Sequence, residues 1–344
     1  MRRILAAIAA VAATAAVPHA GAQMPDLDPA VHGVLTGYLR FSANELSDLL
    51  RDRAVRHDLD SPTPGEFGAA GGVRIRTPKT AFFEAVRDIV HFKRDPSVLQ
   101  IGRFSDPPSI GDLAGLTVDR EDFDATACRV HDCGIRLPEE MIRRLQHEVD
   151  VKAPNAQEQA AAWFKRALIA DVAAYVTGAP GRFLQYDDGD LPIRPIEEFE
   201  GVLAHMPEIA VLAAGLPDHL ARFPARRVEG SEDFLYWSKE KFGVAPFISV
   251  THVTILCPSA ARTCVMTTKD VYSSRYIDAS LALAIASDAN GAADSFVLVY
   301  ANRSRANALK GGLSGLRRSI VARRARAALV DSLKTIKMRL ENGR

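Results

Sequence analysis

The chain has 344 residues, of which 47% are hydrophobic and 25% charged, with a formal net charge of +1. These are the proportions of an ordinary globular protein and exclude a low-complexity or fibrous chain. The near-zero total conceals an asymmetry. Residues 301–344 hold twelve Lys/Arg against Asp331 and Glu341, and two more arginines stand at positions 2 and 3, so residues 23–300 sum to about −11.

Residues 1–22 read as a signal peptide. Arg2 and Arg3 form a positive start, Ile4–Val17 is an apolar run, and Ala20-Gly21-Ala22 is a cleavage site that makes Gln23 the first mature residue. No later run approaches the ~18 apolar residues of a membrane span, so a periplasmic or secreted protein is expected. The mature chain of roughly 320 residues suffices for one large domain or two small ones. Its four cysteines, Cys128, Cys133, Cys257 and Cys264, suggest two disulfides in an oxidising compartment. The C-x4-C and C-x6-C spacings favour local pairing, and neither is the short C-x2-C knuckle of a zinc site.

Residues 23–37 begin polar and are expected to be poorly ordered. Ser42-Ala43-Asn44-Glu45 is a capping box, which predicts a helix from Asn44 to about Val55 with Leu46, Leu49 and Leu50 on one face. Leu59–Gly72 is rich in Pro and Gly and reads as a loop. Val73 and Ile75 alternate with arginines as a short strand. Thr77-Pro78 opens a second helix with Phe82, Phe83, Val86, Ile89 and Val90 on its apolar side, and Val98–Phe104 is a further strand.

From Ile110 to Phe223 helix punctuation takes over. Helices are predicted after Pro138, over Asn155–Thr177 up to Gly178, and after Pro195 and Pro207. This stretch, 110–223, reads as a helical insertion or subdomain between a part spanning 23–109 and one spanning 224–344. Strands return at Asp233–Ser238 and at Phe247–Leu256, whose two faces are both half apolar. Val265–Ile285 is read as one bent strand or as a strand passing into a helix near Asp278. A turn at Asp288–Ala293 leads to a last strand, Ser295–Tyr300. A break near Gly315 then precedes a basic helix from Leu316 to Glu341, striped by Ala325, Leu329, Leu333, Ile336 and Leu340.

The sequence contains no G-x-S-x-G, H-E-x-x-H, Walker A or G-x-G-x-x-G motif, so it names no catalytic residue, metal or cofactor and leans against an enzyme. Polar groups that could line a ligand site are Tyr236, His252, Tyr272, Arg275, Tyr276 and Asp278. The bland alternatives are a satisfied core histidine, core tyrosines and an Arg275–Asp278 ion pair. Arg317, Arg318, Arg323 and Arg324 form a basic face that either covers the acidic body or docks on anionic membrane or a partner protein. That helix lacks interleaved aromatics, which disfavours nucleic acid.

VRIRTPKTAFFEAVRDIVHF together with the last hundred residues resembles the START-like, helix-grip superfamily. The resemblance implies an α+β fold in which an antiparallel sheet packs on a long C-terminal helix around an apolar cavity. DATACRVHDC, SSRYIDASLAL and YANRSRANALKGGL also resemble an uncharacterised family of secreted bacterial proteins, which implies no activity. The expected function is therefore a secreted binding protein for a lipid or other hydrophobic small molecule. The alternative is an envelope-associated interaction protein that uses the basic helix.

Overall fold

The computed structural model describes residues 27–343 apart from 182, 184, 188–191, 242–244, 259–260, 290–292 and 307–328. The signal segment, Arg317, Arg318, Arg323, Arg324 and the break near Gly315 lie outside the described residues. Eight strands form one antiparallel sheet in the order β1-β2-β8-β7-β6-β5-β4-β3. They are β1 Val55–Leu59, β2 Glu66–Ile75, β3 Val98–Arg103, β4 Ser231–Glu240, β5 Phe247–Leu256, β6 Thr263–Ser273, β7 Ala279–Asp288 and β8 Phe296–Arg305. The fold is α+β.

Helices cover both sheet faces. On one side lie α1 (Pro29–Gly33), which continues as a π-turn over Val34–Tyr38, α2 (Ala43–Leu50), and the helices of the segment between β3 and β4. These are α5 (Glu139–Glu148), α6 (Ala156–Thr177), α7 (Pro195–Ala204), α8 (Glu208–Leu212) and α9 (Leu216–Arg222). On the other side lie α3 (Lys79–Arg87), α4 (Ile89–Phe92) and the terminal helix α10, residues 329–342. Leu329, Leu333, Ile336 and Leu340 share an apolar cluster with Val73, Phe82 and Leu298 there, so the described part of the predicted stripe is packed, and Ala325 lies outside the described residues.

The helical segment packs against the sheet. Trp163, Phe164 and Leu168 of α6 bury themselves with Leu235, Trp237, Ile248, Val250 and Tyr272 of the sheet. Cys128–Cys133 closes a loop ahead of α5, and Cys257–Cys264 ties β5 to β6, so both disulfides pair locally. Among the described residues no helix is long and apolar enough to cross a membrane.

Four expectations need correction. The helix after the capping box ends at Leu50, because Val55–Leu59 is drawn into pairing with Gly68–Gly72. The expected loop at Leu59–Gly72 is largely strand: β2 starts at Glu66 and pairs on both edges. Its glycines are needed for closeness, since a Cβ on Gly71 would sit 2.8 Å from the Val55 carbonyl oxygen and 3.0 Å from Leu333. Val265–Ile285 is two strands, β6 and β7, reversed by a turn in which Tyr276 takes φ +65°. The N-terminal stretch is helical over Pro29–Tyr38, because Leu27, Val31, Val34 and Leu35 repeat at helical spacing and are buried with Leu46, Leu49 and Leu283.

Candidate functional site

Strand β7 is lopsided. Alternation sends Leu281, Leu283 and Ile285 into the core under the helical segment, while Ser280, Ala282, Ala284 and Ala286 face α3, α4 and α10. Small residues continue on that face at Ala69 and Gly71, the register partners of Asn302 and Tyr300. Short side chains at the centre of this face, beside the bulkier Phe82, Phe83, Phe234 and Tyr236 of the same apolar cluster, leave a hollow by side-chain length.

Polar groups cross one end of this hollow strand by strand. Ser304 pairs with Ser280, Asp270 with Thr251 and Thr251 with Tyr236. The Ser304 hydroxyl donates to Ser280 Oγ at 2.8 Å, and the Thr251 hydroxyl donates to Asp270 Oδ1 at 3.0 Å. Lys93, just past α4, reaches in to donate to Glu240 Oε1 at 2.7 Å and to the Tyr236 hydroxyl at 3.3 Å. The Ser238 hydroxyl donates to the same Glu240 oxygen at 2.7 Å. Among the described residues the Tyr300 hydroxyl has no hydrogen-bond partner, and Asp270 has Thr251 alone. Lys93, Asp270, Tyr300 and Asn302 remain half-buried although they stand over the sheet.

Electrostatics divide this cluster in two. Burial acts against the charge on Lys93, but Tyr236 and Glu240 beside it outweigh that and hold its amine above the usual lysine range. Burial likewise raises Glu240, and Lys93 pulls it back below its ordinary value. These two form a satisfied pair. Asp270 has no such partner: burial pushes its carboxyl up to about 6, and the Thr251 hydroxyl only partly opposes this. Burial also raises Tyr300, which stays a neutral hydroxyl.

A bulge decides which residues reach the hollow. Val250 pairs with Tyr272 and Thr251 with Asp270, so Val271 is the extra residue in β6. Asp270 therefore faces the hollow with Tyr236, while Tyr272 turns to the opposite face, its ring among Phe164, Phe183 and Tyr186 and its hydroxyl on the Arg136 carbonyl at 3.1 Å. Of the six residues singled out in the sequence, Tyr236 alone lies at the hollow. Arg275 and Asp278 do not pair: the turn at Tyr276 separates them, Asp278 is bound by Arg136 at 2.6 Å, and Arg275 reaches the Glu121 carbonyl at 3.4 Å. The Tyr276 hydroxyl bonds the backbone of Ala245. All three serve the β6–β7 turn. Lys93, Glu240, Thr251, Asp270 and Tyr300 were not singled out as site residues.

His252 belongs to a network on the other face. Asp233 Oδ1 accepts from His219 Nε2 and His252 Nε2, each at 2.9 Å, and from the Thr254 hydroxyl at 2.8 Å. This is the one group of histidines and acids with metal-like spacing among the described residues. Its outer contacts argue against an ion. The Val228 N–H donates to His219 Nδ1 at 3.2 Å, which fixes the proton on Nε2, the very atom a metal would need bare. His252 Nδ1 lies 2.9 Å from the Tyr175 hydroxyl, which can donate to it while Nε2–H serves Asp233. Burial raises Asp233, but the two histidines outweigh it and hold the carboxylate well below its usual range; burial keeps His252 neutral. The network is satisfied as it stands and reads as a buried structural clasp joining α6, α9 and the sheet.

Comparison with known protein families, curated proteins and solved structures yields no match to this chain. The chemistry of the hollow therefore has to carry the functional reading.

Proposed function

We propose that this chain is an exported binding protein that holds one small, largely apolar molecule in the hollow over β4–β8. The ligand's polar end would rest on Asp270, Tyr300 and the Lys93–Tyr236 pair. The observation that carries the reading is Asp270: a carboxyl raised by burial, with one neutral hydroxyl as partner, in the polar row that borders a face of small and apolar side chains. A fold under selection for stability alone has no use for it there. A ligand hydroxyl or amide that donates to Asp270, or accepts from Tyr300, would relieve that cost.

The order of elements supports a helix-grip assignment. From β2 onward the chain runs strand, two helices, six antiparallel strands interrupted after β3 by the helical segment α5–α9, and a closing helix, with β2 beside β8. In the helix-grip arrangement the ligand lies between the sheet and that last helix, the side on which the hollow opens. The polar row narrows the expected ligand from a plain hydrocarbon chain to an amphipathic molecule. Two local disulfides agree with an oxidising compartment and with the leader read from residues 1–22.

Titration with Nile red, a neutral apolar fluorophore, tests this. Wild type should show saturable enhancement at one site. Thr268→Trp, which fills the hollow from half-buried Thr268 beside Ala282, should abolish it while the protein stays folded by near-ultraviolet circular dichroism. Absence of saturable binding to wild type, or equal binding to folded T268W, would overturn the reading.

A further inference from the structure

A second cleft, of about 290 Å³, opens on the opposite face of the sheet between the π-turn, β1, α8 and the end of β8. Its lining includes Tyr38, Arg40, Asp60, His205, Glu208 and Arg303. Most of the charge around it is already spent. Glu66, fully buried behind the cleft, is held by His205 Nδ1 at 2.8 Å, Arg305 at 3.1 Å and Arg303 at 3.3 Å. Arg305 also meets Glu198 at 3.3 Å, and Arg303 donates to the Asp60 carbonyl at 2.6 Å. Two arginines thus balance two glutamates, although the buried Arg303 Nε–H has no acceptor among the described residues.

Glu208 is left over. It is 97% buried, since its relative exposure is 3%, yet it lines the cleft and bonds no other side chain among the described residues. Its own backbone N–H is its one hydrogen-bond donor, and Arg303 acts on it by charge alone. A carboxyl of this kind lacks a cation. At the lip stands Tyr38, a large ring 45% exposed, able to cover an alkyl chain or an ammonium face.

We infer that this cleft is a binding site for a small primary amine, whose ammonium group sits on Glu208 and whose carbon skeleton lies along Tyr38. An anion is disfavoured, because it would face Glu208 while Arg303 is engaged by Glu66 and Asp60. Arg40 remains exposed at the rim and would meet a carboxylate if the amine carried one. Nothing in this inference depends on the hollow, which lies on the other side of the sheet.

Chemical-shift mapping on ¹⁵N-labelled protein at fixed pH tests it, with butylamine as probe and 1-butanol and butyrate as controls. Butylamine should give saturable shifts confined to residues 37–40, 57–60 and 205–208, and neither control should. Glu208→Gln keeps the shape and removes the charge; it should weaken the amine at least about tenfold without lowering the melting temperature. No saturable shift with wild type, equal shifts from 1-butanol, or unchanged affinity in folded E208Q would each overturn the inference.

Discussion

Replacing Asp270 by Asn should make the protein more stable at neutral pH and not in acid. The ordinary value for the carboxyl is 3.8 and burial raises it to about 6 in the folded chain. That difference corresponds to a ceiling of about 3 kcal/mol, since one pKa unit is ~1.4 kcal/mol. Asp270 keeps some access to water in the hollow, so about 1–2 kcal/mol is the working expectation. Below pH ~4 both states hold the proton and the carboxyl has no effect. Between about pH 4 and 6 the unfolded chain has released its proton and the folded chain has not, so wild-type stability falls as pH rises. Above about pH 6 the deficit is complete and constant. Asn retains an oxygen that can accept from Thr251, so the substitution isolates the charge. Urea unfolding of both proteins at about pH 4 and pH 7.5 measures the difference; other ionisable groups cancel in the comparison. A gain for D270N at pH 7.5 that vanishes in acid is expected. Equal stability at pH 7.5, or a difference independent of pH, would refute the placement of this carboxyl in a desolvated position with no cation paired to it among the described residues.

Other consequences follow from the packing. Leu333→Ala removes a fully buried side chain of α10 and should lower stability by about 2–4 kcal/mol in urea, whereas Met338→Ala, 56% exposed, should change it by less than about 0.5 kcal/mol. Replacing Cys257 and Cys264 together by Ser should lower stability by about 2 kcal/mol, the loss expected from opening so short a loop. Asp233→Ala strands two histidine N–H groups and a hydroxyl in a buried setting, and a loss of about 3–4 kcal/mol should appear in the same assay. Because the Val228 N–H fixes the wrong histidine tautomer for an ion, zinc or a chelator should leave the melting temperature of wild type unchanged; a zinc-induced rise would contradict that tautomer.

Much of the frame was legible because side-chain periodicity reports burial. Leu329, Leu333, Ile336 and Leu340 gave α10 its packed face, and Trp163, Phe164 and Leu168 gave α6 its own. Glycine carries no such signal. The run Glu-Phe-Gly-Ala-Ala-Gly-Gly reads as a loop, although backbone pairing on both edges and the close approach of Leu333 make it the strand beside β8. The hollow was hidden by a related ambiguity. Ser280, Ala282, Ala284 and Ala286 alternate with Leu281, Leu283 and Ile285, a two-sided pattern that becomes informative once Val265–Ile285 is divided at Tyr276. The bulge at Val271 has no signature in the chain itself, and without it Asp270 and Tyr272 would be assigned to the same face. Lys93 could not be connected to Tyr236 and Glu240 from sequence, because only the folding of α4 against β3 brings them together.

Native mass spectrometry of the protein exported to a bacterial periplasm, purified gently and compared with the same sample under denaturing conditions, puts the binding claim to the most direct test. One small molecule should leave on denaturation, be recovered in the organic extract, and be depleted from D270N and T268W purified alongside. Identical native and denatured masses for wild type, together with no saturable uptake of amphipathic molecules added afterwards, would contradict the account.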